Sequence, residues 1–241
     1  MKSTTLTHKG KRKVNQDVIL IKSIGPDIYL YLIADGMGGY DNGEVAAQIA
    51  TESILTFLSN TTEEINEETI QMAINKANLA IRQFQELNNS KLGTTIGAII
   101  LSKNIAKCFW VGDIKILHYS DEQIKFESKS HNLLNELTEG ELSNETFKSS
   151  RYSHIVTRSV QGDIKKSIIS YEELTLKEED KLIICSDGVH NIIDSQTILF
   201  MMKSKKMNDS FINDINNRLK VEASDNASLI YISQSTSLIK S

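Results

Sequence analysis

Residues 94–127 read TTIGAIILSKNIAKCFWVGDIKILHYSDEQIKFE, and their pattern sets the fold class. Four runs rich in β-branched and aromatic residues (Thr94 to Leu101, Ala106 to Val111, Lys115 to Tyr119, Gln123 to Glu127) are separated only by short turns. Parallel neighbours need a crossover of about a dozen residues. The stretch therefore predicts an antiparallel meander in an α+β chain, not repeating βαβ units.

Upstream, strands are expected over Asp17 to Lys22 and Ile28 to Ala34, joined by a turn at Gly25-Pro26-Asp27. A glycine-rich turn, Gly36 to Gly43, leads into a helix with Val45, Ala46, Ile49, Ala50, Ile54 and Leu58 at helical spacing. A second helix, about Glu67 to Leu87, places Ile70, Ala73, Ile74, Ala77, Ala80, Ile81 and Phe84 on one stripe. Downstream, His131 to Gly162 is polar and irregular. Strands follow in IISYEEL and KLIICS, then helices around Ser195 to Lys203 and Asp209 to Val221, and a last strand, Ser228 to Ser233. With one proline and no Ser/Gly-rich linker, nothing divides the chain, and residues 1–241 read as a single domain with helices outside a sheet sandwich.

The 40% hydrophobic and 24% charged composition is that of a soluble globular protein. A net charge of −4 argues against nucleic acid or an anionic membrane as the main partner. No stretch approaches the about 18 apolar residues of a membrane span, and MKSTTLTHKGKRK lacks a signal-peptide core. Cys108 and Cys185 lie in apolar runs, where buried reduced thiols fit a cytoplasmic protein.

Four aspartates stand at the ends of strand-like runs: Asp35 in YLYLIAD, Asp113 in KCFWVGD, Asp187 in KLIICSD and Asp225 in DNASLIYI. One acidic strand end is an ordinary turn residue. Four from distant parts of one chain predict a carboxylate cluster, which like-charge repulsion makes hard to tolerate without cations. An oxygen-only donor set suits Mg²⁺ or Mn²⁺. The chain is thus a candidate metal-dependent hydrolase.

Six segments follow one another along the chain: Arg12-Lys13-Val14-Asn15-Gln16-Asp17, Ala34-Asp35-Gly36-Met37-Gly38-Gly39, Leu92-Gly93-Thr94-Thr95, Val111-Gly112-Asp113, Ser186-Asp187-Gly188 and Asp225-Asn226. Taken in that order they resemble the metal-dependent protein serine/threonine phosphatases of type 2C, the PPM family, in their bacterial single-domain form. Ile155-Val156-Thr157-Arg158-Ser159 and Leu174-Thr175-Leu176-Lys177 support the likeness, which runs from about Arg12 to Ile232. The resemblance implies a four-layer α-β-β-α sandwich: two antiparallel β-sheets face to face, antiparallel helix pairs outside, and metals at one end.

By the same resemblance, Asp35 bridges two core metal ions and the Gly36 carbonyl binds the second. Asp187 and Asp225 complete the first ion's protein ligands, and Asp113 shares a weaker third ion with Asp187. The implied reaction is in-line attack on phosphoserine or phosphothreonine by a hydroxide bridging the metals, since a strong Lewis acid lowers the pKa of water towards about 7. Arg12 would grip the phosphate, as its planar fork suits. Asp17 and Gln16 would hold metal waters. The implied partners are a phosphorylated protein and an opposing Ser/Thr kinase, with the enzyme a monomer.

The chain departs from the family pattern at several points. Gln16 stands where many members carry Glu, and Met37 where some place a histidine proposed as general acid. Ile114-Lys115 replaces the usual Ser-Arg, and Ser228 a common Thr. None of these removes an expected metal ligand. The stretch from His131 to Gly162 takes the place of the family's flap, expected to gate substrate. An alternative is a non-catalytic or regulatory signalling module on the same fold, or a phosphatase of small phosphate esters.

Other chemistries find no support. Cys185-Ser186-Asp187-Gly188-Val189-His190 lacks the arginine and phosphate cradle of a cysteine phosphatase, and Ser186 is in no Gly-x-Ser-x-Gly elbow. The five histidines show no paired zinc spacing and read as surface or structural, and Gly36 to Gly43 matches no nucleotide or calcium loop.

Overall fold

The computed structural model describes residues 2–37, 42–139, 152, 154–204 and 210–233. Within them, ten strands form two five-stranded sheets in which every pairing is antiparallel. One sheet has the order β1 (Lys2–His8), β10 (Ala227–Ser233), β9 (Lys181–Cys185), β6 (Lys115–Ser120), β7 (Gln123–Glu127). The other runs β2 (Asp17–Gly25), β3 (Ile28–Gly36), β4 (Thr94–Ser102), β5 (Ile105–Val111), β8 (Ser170–Thr175). Helices α1 (Gly43–Asn60) and α2 (Glu67–Asn88) cover the second sheet; α5 (Ser195–Ser204) and α6 (Phe211–Glu222) cover the first. Two short helices, α3 (Leu133–Glu139) and α4 (Asp187–His190), lie in connections.

The four layers follow from strand periodicity. Successive side chains of a strand face opposite ways, so a strand covered on both sides must be apolar throughout. In β3, Leu30, Leu32 and Ala34 pack with α1 and α2, while Tyr31 and Ile33 face the other sheet. In β9, Ile183 and Cys185 face α5 and α6, and Leu182 and Ile184 face inward. The inter-sheet layer also takes Ile99, Cys108, Trp110, Ile114, Ile116, Ile230 and Ile232. Each large side chain so buried contributes about 1.5–3 kcal/mol. Outside, α2 starts at Asn66, whose side chain accepts from the Thr69 amide at 3.0 Å, and stops at Asn89, in the left-handed region at φ 47°.

Residues 94–127 do not form one continuous meander. β4 pairs with β5, but β6 and β7 belong to the opposite sheet. The chain changes sheets at Gly112-Asp113-Ile114, where Gly112 adopts φ 105°, a conformation L side chains resist. A β-carbon there would also meet Thr95 Cγ2 at 2.4 Å. The turn is short enough for a hairpin, so length could not reveal the switch. What reveals it is that Ile114 and Ile116 pack in the inter-sheet layer and β6 pairs with β9.

β1 lies outside the expected strands, because Lys2-Ser3-Thr4-Thr5-Leu6-Thr7-His8 offers one apolar side chain; its pairing with β10 makes it an edge strand. Among the described residues no helix is long and apolar enough to cross a membrane. Residues 38–41 of the glycine-rich turn and 140–151 and 153 of the expected flap lie outside the described residues.

Candidate active site

The expected aspartates meet at one end of the sandwich. Asp17 opens β2 and lies directly opposite Asp35, near the end of β3. Asp113 follows β5, Asp187 begins α4 just after β9, and Asp225 lies just before β10. β9 and β10 are neighbours in the first sheet, and Thr95 on β4 pairs with Asp35 in the second, so the antiparallel order brings these ends together.

Their electrostatics record the convergence. Burial, then the charges of Asp17, Asp187, Asp113 and Asp225, hold Asp35 well above the usual carboxylate range. Burial and the charges of Asp187 and Asp225 push Asp113 up to about 7. Asp17 is pushed up to about 6, chiefly by burial, although hydrogen bonds from Ser228 and Ser186 favour its charged form. Asp187 is raised by burial and by Asp225, opposed by the Gly188 amide, His154 and Arg12.

The surrounding groups fix the backbone. Thr94 Oγ1 donates to the Asp35 carbonyl at 2.8 Å, and the Gly36 amide donates to the Gln16 carbonyl at 3.1 Å. Ser186 Oγ accepts from the Ser228 amide at 2.9 Å and donates to Asp17 Oδ2 at 3.0 Å, tying the two sheets together. Asn226 Oδ1 accepts from the Gln16 amide at 2.9 Å, while its Nδ2 donates to the Lys9 and Val14 carbonyls at 2.9 and 3.0 Å. The N-terminal loop is thereby laid across the site, and Arg12 Nη2 reaches Asp225 Oδ2 at 2.7 Å. Gln16 Nε2 donates to Glu44 Oε2 at 3.2 Å, bringing a further carboxylate from the first turn of α1. Met37 has its amide on the Gly93 carbonyl at 3.0 Å and its methyl close against Gly93.

The residues present fit divalent cations. The donors are all oxygen, they crowd one another, and Asp17 Oδ1 is buried with no hydrogen-bond partner. Among the described residues no three acidic, imidazole or thiol groups close into an all-protein cage. Hard ions of the Mg²⁺ type need none, because they keep several waters and take few carboxylates.

Three histidines near the site had no local signature. His131 and His190 hold the backbone on either side of Asp113, and burial lowers His190 to about 4, leaving its ring neutral. His154 is exposed and lies within electrostatic reach of Asp187. Only the assembled fold brings them there.

The sequence pattern of the family described as protein phosphatase 2C matches residues 6–229. Protein phosphatase PhpP of Streptococcus pneumoniae is 27% identical over 204 residues, covering 82% of each chain. The serine/threonine phosphatase of S. agalactiae superposes with a TM-score of 0.85 at 25% identity, over 97% of this chain and 99% of that one. The catalytic domain of serine threonine protein phosphatase PstP, solved with 2 manganese ions, superposes with a TM-score of 0.77 at 21% identity, over 95% and 96% of the two chains.

Proposed function

The chain belongs to the protein phosphatase 2C family, and from that premise we propose that it removes phosphate from phosphoserine and phosphothreonine in proteins, opposing a Ser/Thr kinase. The observation that carries this reading is the meeting of Asp35, Asp113, Asp187 and Asp225, from four distant strand ends, with Arg12 at the rim. A site built only to hold the fold together gains nothing from such mutually destabilised charges.

In this reading Asp35, the Gly36 carbonyl, Asp187 and Asp225 would hold two Mn²⁺ or Mg²⁺ ions, and Asp113 with Asp187 would hold a weaker third. Bound there, such ions would supply a strong nucleophile at neutral pH and would neutralise charge developing on the phosphoryl oxygens. Arg12, about half exposed, turns its fork from Asp225 to two phosphate oxygens and aligns the ester for in-line displacement. Asp17 and Gln16 orient waters around the ions. Asp17 is suited to that role because Ser186 fixes one of its oxygens, while the other is buried without a hydrogen-bond partner. Met37 has no proton to give, so the departing seryl oxygen takes its proton from water or from a side chain outside that position.

The test is hydrolysis of p-nitrophenyl phosphate and of phosphoserine and phosphothreonine peptides with added Mn²⁺, with Asp35→Asn as reference. Turnover of the peptides that Asp35→Asn abolishes supports the reading. No turnover with any divalent ion favours a regulatory module on this fold, and turnover confined to small metabolites favours a phosphatase of small esters.

A further inference from the structure

Asp113 lies in the link by which the chain changes sheets, between the last paired residue of β5, Val111, and the first of β6, Lys115. Two histidines hold that link from opposite sides. His131 grips the preceding residue twice: its amide donates to the Gly112 carbonyl at 2.8 Å, and its Nδ1 accepts from the Gly112 amide at 3.1 Å. Because Nδ1 accepts, the ring proton sits on Nε2, which donates to Ser170 Oγ on β8 at 2.8 Å. The ring stacks on Trp110 with centroids 6.2 Å apart. His190 takes the other side, its Nε2 donating to the carbonyl of Asp113 itself at 2.8 Å. It belongs to α4, whose first residue is Asp187. One histidine therefore fixes the peptide before Asp113 to β8, and the other fixes the peptide after it to the helix that carries Asp187.

We propose that His131 and His190 are positioning residues that set the Asp113 carboxylate against that of Asp187 at the spacing a divalent cation requires. The proposal rests on reading Asp113 and Asp187 as metal ligands. A carboxylate on a turn with glycine beside it has a soft backbone, and a weak ion site is sensitive to sub-ångström placement of its few protein oxygens. The bracket removes that softness from both directions. It also joins the turn to Thr157, whose amide donates to the His131 carbonyl at 3.0 Å.

The experiment is Mn²⁺ titration calorimetry on His131→Ala and His190→Ala, on the isosteres His131→Asn and His190→Gln, and on Asp113→Asn as reference. Asparagine places an acceptor near the Nδ1 position, and glutamine a donor near Nε2. Asp113→Asn should lose the weaker class of Mn²⁺ site. Both alanine variants should weaken that class about 10–100-fold and spare the tighter one, and the isosteres should recover most of the affinity. Folded alanine variants that bind the weaker ion as the unaltered protein does would overturn the proposal, as would isosteres no better than alanine. Should His131→Ala fail to fold, Ser170→Ala removes the ring's anchor without touching Gly112, and an unchanged weaker site there overturns it equally. Asp113→Asn that keeps the weaker class contradicts the ligand assignment instead, and the bracket falls with it.

Discussion

Arg12 Nη2 and Asp225 Oδ2 lie 2.7 Å apart, joining residues separated by 213 positions in the chain. The pair crosses the mouth of the carboxylate cluster, with Asp187 and Asp35 also acting on the guanidinium. Both side chains are well exposed, at 49% and 38%, so solvent screens the pair and its contribution to stability is small. In the proposed reading this arginine is handed from Asp225 to an incoming phosphate.

Arg12→Ala is therefore expected to change unfolding free energy by less than about 1 kcal/mol while raising KM for phosphorylated substrates. Arg12→Lys should not rescue it, because an ammonium cannot form the two parallel hydrogen bonds of the fork. Steady-state kinetics beside urea unfolding checks both. A large loss of stability with unchanged KM would make the residue structural.

Metal binding should appear in thermal melts. Mn²⁺ at about 100 times its Kd should stabilise the folded state by about 2.7 kcal/mol, and chelation should reverse the gain. Asp113→Asn removes one member of a crowd that holds Asp35 above its usual range. The metal-free variant should therefore melt no lower than the metal-free parent, yet gain less from Mn²⁺. A metal-free variant that melts well below its parent would mean that the carboxylate supports the fold.

Gly188 follows Asp187, and a β-carbon there would stand 2.0 Å from the Asn226 carbonyl oxygen. That contact sets a β-carbon against backbone and cannot be relieved by a rotamer. Gly188→Ala should cost about 1–3 kcal/mol and should weaken Mn²⁺ binding, because it pushes the elements carrying Asp187 and Asp225 apart. Calorimetry on a variant with a cooperative melt separates the two effects; unchanged Mn²⁺ affinity would contradict the second.

Much of the framework was legible because the signals were local. The apolar stripes of α1 and α2, the strand runs and their turns, and the acidic strand ends can all be read within a few residues. The rest depended on distant partners. β1 is a strand only because β10 supplies its hydrogen bonds. The meander splits between sheets because β6 finds β9, some 65 residues on. His131 and His190 look like ordinary core or surface histidines until Gly112 and Asp113 are brought beside them. Ser186, which lies in no nucleophile elbow, is the hydroxyl linking β10 to Asp17.

Away from the site, His118 Nε2 and Asp180 Oδ2 pair at 2.8 Å with both side chains buried. Burial pushes the Asp180 carboxyl up, but Ser120, the Lys177 amide and His118 favour its charged form and leave it below the usual value. A depressed folded pKa stabilises above the unfolded value of about 3.9 and is lost as pH falls through the folded value. Asp180→Asn should cost about 1–3 kcal/mol at pH 7. The deficit should hold down to about pH 5 and shrink below about pH 4, as the parent's carboxylate takes up its proton. Urea unfolding at each pH measures it; a deficit that widens on acidification would reverse the sign.

Anomalous diffraction from crystals saturated with Mn²⁺ addresses the cation reading most directly. Two strong peaks are expected among Asp35, the Gly36 carbonyl, Asp187 and Asp225, with a weaker third between Asp113 and Asp187. An anomalous map with no peak within coordination distance of Asp35 would contradict it.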